Sequence, residues 1–500
     1  MKQAETAVSQ SPSPPIFISP PTRMLTLNGL HRTNCSGVSR RELLQIGGAG
    51  LLGLSLPKVF ALQDASNPFR GGRAKSVIFL HLFGGPSQLE TFDLKPEAPR
   101  EIRGPFAPIS CRTPDLRISE HLGRLARISD KFGVIRTMTH GYNDHSGAGH
   151  YIQTGRRWHL PVGGGFSATP EDWPSMGSVV EYLSQQAPGG MERETASYAV
   201  LPNWLGRLQD VGQYRRPGQY AGWLGSGYNA ITTRIDKRDK TDNPYWRDCT
   251  DAELNYSIEG LEPLVPIGRI RDRDQLLRQF EGIRRRLDAG EADALDRHRR
   301  RALALISSDQ MAAALDIRRE PDAVRDRYGR HLFGQSCLMA RRFVEAGTKF
   351  VTVHYDCVDG YSWDSHLTSN DVKEHLLPTF DQACSALLED LEQRGLLQET
   401  LVVALGEMGR TPVANAKWGR GHWSTCFPCL LAGAGVRGGI VYGKSDAKAE
   451  YPLEGAVTPE DLAKTIYWAL GVDPDMFLTD RRGRPVPLVE SGKPLVSLFG

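Results

Sequence analysis

From Ser336 onward the chain alternates apolar runs with amphipathic stretches, and that alternation constrains its fold more than any other feature. A helix through Ala346 closes at Gly347 and is followed by the strand Lys349-Phe350-Val351-Thr352-Val353-His354. A second helix, from about Asp371 to Arg394, closes at Gly395, a residue suited to the left-handed turn that ends helices. The strand Leu401 to Leu405 comes next, then a strand from Phe427 to Gly433. Pro459 to Leu470 reads as a helix opened by Thr458-Pro459-Glu460 and closed at Gly471. Strands and helices of this length in alternation make right-handed βαβ units, hence an α/β fold with a mostly parallel sheet and helices on both faces.

Two further strands lie upstream. Ser76 to Phe83 is a continuous apolar run meeting Gly84-Gly85-Pro86, as expected of a strand buried on both faces, and Phe132 to Arg136 is a shorter one. Residues 156–275 are rich in Trp, Pro, Gly and Asn with little periodicity and read as loops. Glu281 to Ile317, charged and apolar at helical spacing, reads as one or two long surface helices. The expected organisation is a leader over 1–61 and one domain over 62–500, interrupted at 156–335 by a loop-rich insertion with long helices.

Composition narrows the function. With 40% apolar and 24% charged residues the chain is neither disordered nor a multi-span membrane protein. The net charge is only +3; residues 1–61 hold six basic and two acidic side chains, so the remainder is near −1 and no nucleic-acid partner is indicated. Arg40-Arg41 precedes a glycine-broken, mildly apolar run too short to span a membrane, followed by Val59-Phe60-Ala61. This pattern is similar to a twin-arginine export signal, which predicts an exported protein that meets the export machinery; an ordinary basic loop is the other reading, and Met24 is an alternative start. Eight cysteines, one of them in the leader, do not form a disulfide pattern. Cys426-Phe427-Pro428-Cys429 reads as two buried thiols rather than a redox pair.

In open α/β sheets ligands bind beyond the carboxyl ends of the strands. Those ends are rich in Glu90 and Asp93, in Asp364 and His366, in Glu407 and Arg410, and in His422. Carboxylates and imidazoles arriving from separate strand ends suit a divalent cation, which needs fixed deprotonated O and N donors around one point. Each also has a structural reading: Asp364 as a turn cap, His366 as a solvated loop residue, His422 stacked on Trp423, Glu407 paired with Arg410. A second group is His140, Asp144, His145, Ser146 and His150, in a glycine-flanked loop that leads into a short helix. A serine there gains acidity from the helix end and a nearby metal. Alternatively Ser146 caps the helix.

Taken together, Gly84-Gly85-Pro86-Ser87 with Thr91-Phe92-Asp93 and Lys95-Pro96, His145-Ser146 with Thr154-Gly155, Arg327-Tyr328-Gly329, Trp363-Asp364-Ser365-His366, Gly406-Glu407-Met408-Gly409-Arg410-Thr411-Pro412 and Gly419-Arg420-Gly421-His422-Trp423 resemble the DUF1501 family of exported bacterial proteins. That family lies within the alkaline phosphatase/sulfatase-like superfamily. The resemblance implies an α/β/α sandwich whose strand ends hold one or two divalent metal ions, with Zn, Mn, Ca and Mg all open. It also implies hydrolysis of phosphate or sulfate esters, small or polysaccharide, by a nucleophilic side chain. Carried over, Asp93 or Glu90 resembles the first-strand ligand, Asp364 and His366 the paired ligands, Glu407 the next carboxylate and His422 the late histidine. Ser146 becomes the nucleophile candidate with His145 beside it, and His140, His150 and Arg410 are supporting groups. Two departures stand out. The superfamily nucleophile stands ten residues before the glycine of a Thr-Gly pair, a place held here by His145, and Glu407-Met408 replaces Asp-His. A single-metal site, an altered nucleophile and a non-catalytic scaffold that keeps the fold are the outcomes this leaves open.

Overall fold

The computed structural model describes residues 67–161, 165–190, 193–209, 213–259, 308–356 and 362–500. Arg40, Arg41 and the rest of the leader lie outside the described residues, as does most of the helix expected over 281–317. The fold below is that of the unit Ser66–Gly500.

Nine strands form the central sheet: β1 (Ser76–Leu82), β2 (Phe132–Met138), β3 (Tyr198–Leu201), β4 (Ile231–Arg234), β5 (Ser257–Ile258), β6 (Phe350–Tyr355), β7 (Thr400–Leu405), β8 (Phe427–Ala432) and β9 (Val441–Tyr442). Across the sheet they run β9-β2-β8-β7-β1-β6-β3-β4-β5. The central β1 pairs in parallel with β6 and β7; β3 is parallel to β6 and β4, and β9 to β2. Only β8, against β2 and β7, and β5, against β4, run the other way. The fold class read from the sequence, a mostly parallel sheet with helices on both faces, is present.

Strand β1 shows why both faces are covered. Ile78, Leu80 and Leu82 join a core cluster with α3 (Leu332–Glu345) and α4 (Leu377–Gln393). Val77 and Phe79 join the opposite one with α1 (His145–Thr154), α2 (Met176–Gln186) and α5 (Pro459–Ala469). Each such side chain stabilises the fold by roughly 1.5–3 kcal/mol when fully buried, so a strand buried on both sides must be apolar throughout. His81 breaks that rule, facing the α1 side beside its register partner His354 of β6.

Three expectations change. Residues 156–335 are not only an insertion of loops and long helices: they give the sheet β3, β4 and β5 and cover one face with α2. Strands of two to four residues are too short for alternation to show in sequence. The helix expected from Asp371 opens with a π-helical turn, Val372–Leu376, before α4 begins. Pro378 stands at that junction with no N–H to donate, which favours the wider turn. Ser146 does not cap α1. Asp144 does, with Oδ1 accepting from the Gly147 N–H at 2.7 Å, and Ser146 lies inside the first turn. The thiols behave as read: Cys426 and Cys429 are free and buried, and burial pushes Cys426 up to about 12 and Cys429 higher.

Two buried histidines predict the acid limit of stability. Burial pushes His331, which caps α3 by accepting the Gly334 N–H at 3.1 Å, down to about 4, and His150 down to about 3. An unfolded histidine titrates near ~6.5, so below that pH the unfolded chain binds protons that the folded chain refuses. Their contribution is complete above pH ~6.5 and is lost as the pH falls toward each folded value, at about 1.4 kcal/mol per histidine per pH unit. Urea unfolding of His331→Asn, which keeps a capping side chain, should show about 2 kcal/mol less loss than the parent between pH 6.5 and 4.5. Equal losses in the two proteins would disprove this account.

Candidate metal centre

The parallel pairing puts the carboxyl ends of β1, β6 and β7 on one edge of the sheet, and β2, antiparallel to β8, ends there too. Four chain segments therefore converge: Gly84 after β1, His145 at the start of α1 after β2, Asp364 and His366 beyond β6, and Glu407 after β7. His422 reaches the same place on a two-stranded ribbon, Gly409–Arg410 paired with His422–Trp423.

The turn at Gly84 must be glycine. Its φ is +115°, and a Cβ would stand 2.6 Å from the Asp364 backbone nitrogen. Its N–H donates to both Glu407 oxygens at 3.0 and 3.1 Å, and its C=O accepts from the buried Arg410 guanidinium.

Around Asp364 the side chains close in. His145 Nε2 is 3.2 Å from Oδ2; His422 Nε2 is 3.2 Å, His366 Nε2 3.0 Å and Arg410 Nη2 2.5 Å from Oδ1. The two ring nitrogens of His366 and His422 are 2.9 Å apart. Ligand atoms of His145, Asp364 and His422 all lie within 4.8 Å of one another.

The outer nitrogens of the two imidazoles in that trio are committed. His145 Nδ1–H donates to Glu407 Oε1 at 2.5 Å, and His422 Nδ1–H donates to the Asn143 C=O at 2.8 Å. Each neutral ring then turns a bare Nε2 toward a carboxylate oxygen. His145 Nε2 is buried with no hydrogen-bond partner. Acceptors facing acceptors repel, so positive charge belongs among them, as a proton or as a cation. With a proton, burial pushes His145 down but Asp364 and Glu407 outweigh it, holding the imidazole up to about 9. Burial likewise raises Asp364, and His145, His422 and Arg410 overcome it and hold the carboxyl far below its usual range. A metal fits the same space. Donors about 2 Å from a tetrahedral centre stand roughly 3.3 Å apart, and a ligand histidine whose far nitrogen is held by a carboxylate or carbonyl is the usual second-sphere arrangement.

Several candidate residues are placed otherwise. Glu407 is fully buried behind His145, its oxygens taken by Gly84 and His145, so it orients the His145 ring rather than joining the three-residue cluster. Glu90 is held by Arg420, 3.0 Å from Nε, and Asp93 by Lys95 at 2.9 Å, by Arg136 and by the Ser445 hydroxyl. Both are neutralised away from the cluster. His140 donates Nε2–H to the Glu407 C=O at 2.7 Å and accepts the Tyr142 N–H on Nδ1, which fixes the turn after β7. His150 is buried against Trp158 with Nδ1 on the Arg156 C=O, remote in role from the centre. The Ser146 hydroxyl donates to the Phe166 C=O at 3.4 Å and accepts from Arg216 at 3.3 Å; it makes no bond to a cluster residue.

Sequence reading missed His81, His354 and Arg216. His81 Nδ1 and His354 Nδ1 are 3.3 Å apart under the centre, and His81 Nε2 lies 3.7 Å from Glu407 Oε2. Burial, against the pull of Glu407, pushes His81 down to about 4, so this pair stays neutral. A polar residue in an apolar run was the available signal. Arg216 offered none.

No helix among the described residues is long and apolar enough to cross a membrane. Among solved structures the chain is similar to a sulfatase from Pseudoalteromonas sp., at 12% identity over 83% of this chain and 71% of that one, with a TM-score of 0.34. It is similar to the phosphonate monoester hydrolase of Silicibacter pomeroyi at 10% identity over 85% and 76% (TM-score 0.37). It is also similar to that of Agrobacterium radiobacter at 10% over 85% and 77% (TM-score 0.36). No curated protein matches the chain. The family described as "Protein of unknown function (DUF1501)" matches residues 74–499, most of the chain and nearly all of the described fold, and the chain belongs to that family.

Proposed function

We propose that this protein is an exported hydrolase of phosphate or sulfate esters that works with a bound divalent cation. The convergence of His145, Asp364 and His422 within 4.8 Å at the carboxyl edge of the sheet carries this reading. Two imidazoles and a carboxylate favour Zn or Mn over Ca or Mg.

A bound cation would polarise the ester and lower the pKa of water. The protein's own groups do the rest. His145, Asp364 and His422 would hold the ion, with the half-exposed His366 beside them. Glu407 fixes the His145 ring, and Asn143 fixes His422. Arg410 holds one Asp364 oxygen and ties it to the Gly84–Gly85 turn. Because the Ser146 hydroxyl is engaged with Phe166 and Arg216, we assign the attack to water rather than to this serine.

One observation favours a second reading, an exported scaffold without chemistry. The carboxylates of Asp364 and Glu407 are balanced by a His145 imidazolium and Arg410, so the cluster is neutral with protons alone. Elemental analysis of protein purified without added metal, with 4-nitrophenyl phosphate and 4-nitrophenyl sulfate as substrates, separates the two. The hydrolase reading expects about one divalent ion per chain and turnover that a chelator abolishes. Metal without turnover of either ester, or no uptake of Zn or Mn at all, would establish the scaffold.

A further inference from the structure

Among the described residues, four of the nine exposed large apolar side chains, Phe166, Tyr214, Leu367 and Val413, lie on segments adjoining the cluster. Exposed apolar groups gathered beside a polar centre mark a contact surface. Phe166 is 52% and Tyr214 40% exposed, and their rings stack with centroids 5.3 Å apart and planes at 29°. The Arg216 guanidinium lies 5.5 Å from the Tyr214 ring centre and 5.5 Å from that of Phe83, whose ring is in turn 5.3 Å from His145. Among the described residues the Arg216 guanidinium hydrogen-bonds only to neutral side chains, those of Ser146 and Gln209, and its Nε is buried without a hydrogen bond. Ser146 ties this group together, bonding the Phe166 carbonyl and Arg216 from the first turn of α1, one residue from His145.

We propose that Phe166, Tyr214 and Arg216 form the leaving-group subsite, and that the group it takes is a six-membered ring carrying an anionic substituent. The proposal rests on the hydrolase reading of the adjacent centre. A stacked aromatic pair about half exposed to solvent suits a ring, aromatic or saturated, better than a flexible alkyl chain, which would lose more conformational freedom on binding. An arginine whose neighbours are aromatic and neutral supplies charge and directed N–H groups for a carboxylate, sulfate or phosphate on that ring. In this arrangement Ser146 is a positioning residue.

Equilibrium binding of methyl-, phenyl- and cyclohexylphosphonate to the metal-loaded full chain tests it. Ring ligands should bind about tenfold tighter than methylphosphonate. Tyr214→Ala should remove that difference while leaving methylphosphonate affinity and Tm unchanged. A 4-carboxyl on phenylphosphonate should add about fivefold, and Arg216→Gln should abolish only that gain. Tightening by phenyl alone assigns an aromatic ring, and equal tightening by cyclohexyl assigns a saturated one such as a sugar. If methylphosphonate binds and neither ring improves on it, the subsite is refuted while the centre stands. If the rings bind and methylphosphonate does not, the subsite stands and the centre is misread. If none binds, both fall.

Discussion

Asp364→Asn should lower metal affinity by at least about a hundredfold and ester turnover by about a thousandfold. Changing groups that merely orient a ligand costs about 10–100-fold in metal affinity, and a direct ligand costs more. Asp364 is also the hub of the cluster: His145 and His422 at 3.2 Å, His366 at 3.0 Å and Arg410 at 2.5 Å all converge on its two oxygens. An asparagine of the same shape removes the negative charge and turns an N–H₂ group toward some of these neighbours, so the loss is electrostatic and not one of volume. A thousandfold in rate corresponds to about 4 kcal/mol, within the several kcal/mol a cation contributes to a developing charge. Arg410 would survive the change, because the carbonyls of Gly84, Gly85 and Arg420 still accept from it. The folded protein should therefore be recoverable for elemental analysis, and unchanged metal content and turnover would remove Asp364 from the centre.

The parallel sheet could be read early because its central strands are buried on both faces: β1, β6 and β7 must be apolar throughout, and apolar runs between helices are visible in any sequence. Strands β3, β4 and β5 were not, because they are too short to establish a period and owe their place to neighbours already in the sheet. The centre divides the same way. Asp364, His366 and His422 stand in glycine- and tryptophan-rich motifs at strand ends, where polar residues have a functional meaning on position alone. Glu407 was legible as a buried carboxylate but not as one facing the back of His145, since that depends on which oxygen meets the Gly84 N–H. The placing of His145 was half legible. Its position ten residues before Gly155 marked it, and the structure puts its ring between Glu407 and Asp364. Residue type and strand-end position could not separate Glu90 and Asp93 from Asp364 in the sequence: Asp364 is partly exposed and keeps an oxygen toward the cluster, whereas Glu90 and Asp93 are fully buried and held by arginine, lysine and a hydroxyl drawn from distant parts of the chain.

That distinction has a measurable consequence at Glu90. Its carboxylate and the Arg420 guanidinium are both buried, 3.0 Å apart, and Arg420 also donates to the carbonyls of Ile102, Thr411 and Pro412. The pair thereby fastens the segment after β1 to the loop that leads into His422. Burial raises the Glu90 carboxyl and Arg420 opposes that rise, so the charged form depends on its partner. Glu90→Gln leaves a buried guanidinium without a counter-charge, and breaking buried pairs costs about 3–5 kcal/mol. The three carbonyls still solvate Arg420, which places the expected loss near ~3 kcal/mol in denaturant unfolding. Replacing both partners, Glu90→Leu with Arg420→Met, should not recover that loss, because without the guanidinium the carbonyls of Ile102, Thr411 and Pro412 lose their donor. Metal content per folded chain should stay at the parent value in Glu90→Gln. A stable Glu90→Gln protein that has lost its metal would mean that Glu90 is a ligand after all, and that the separation of the two acidic groups drawn here is wrong.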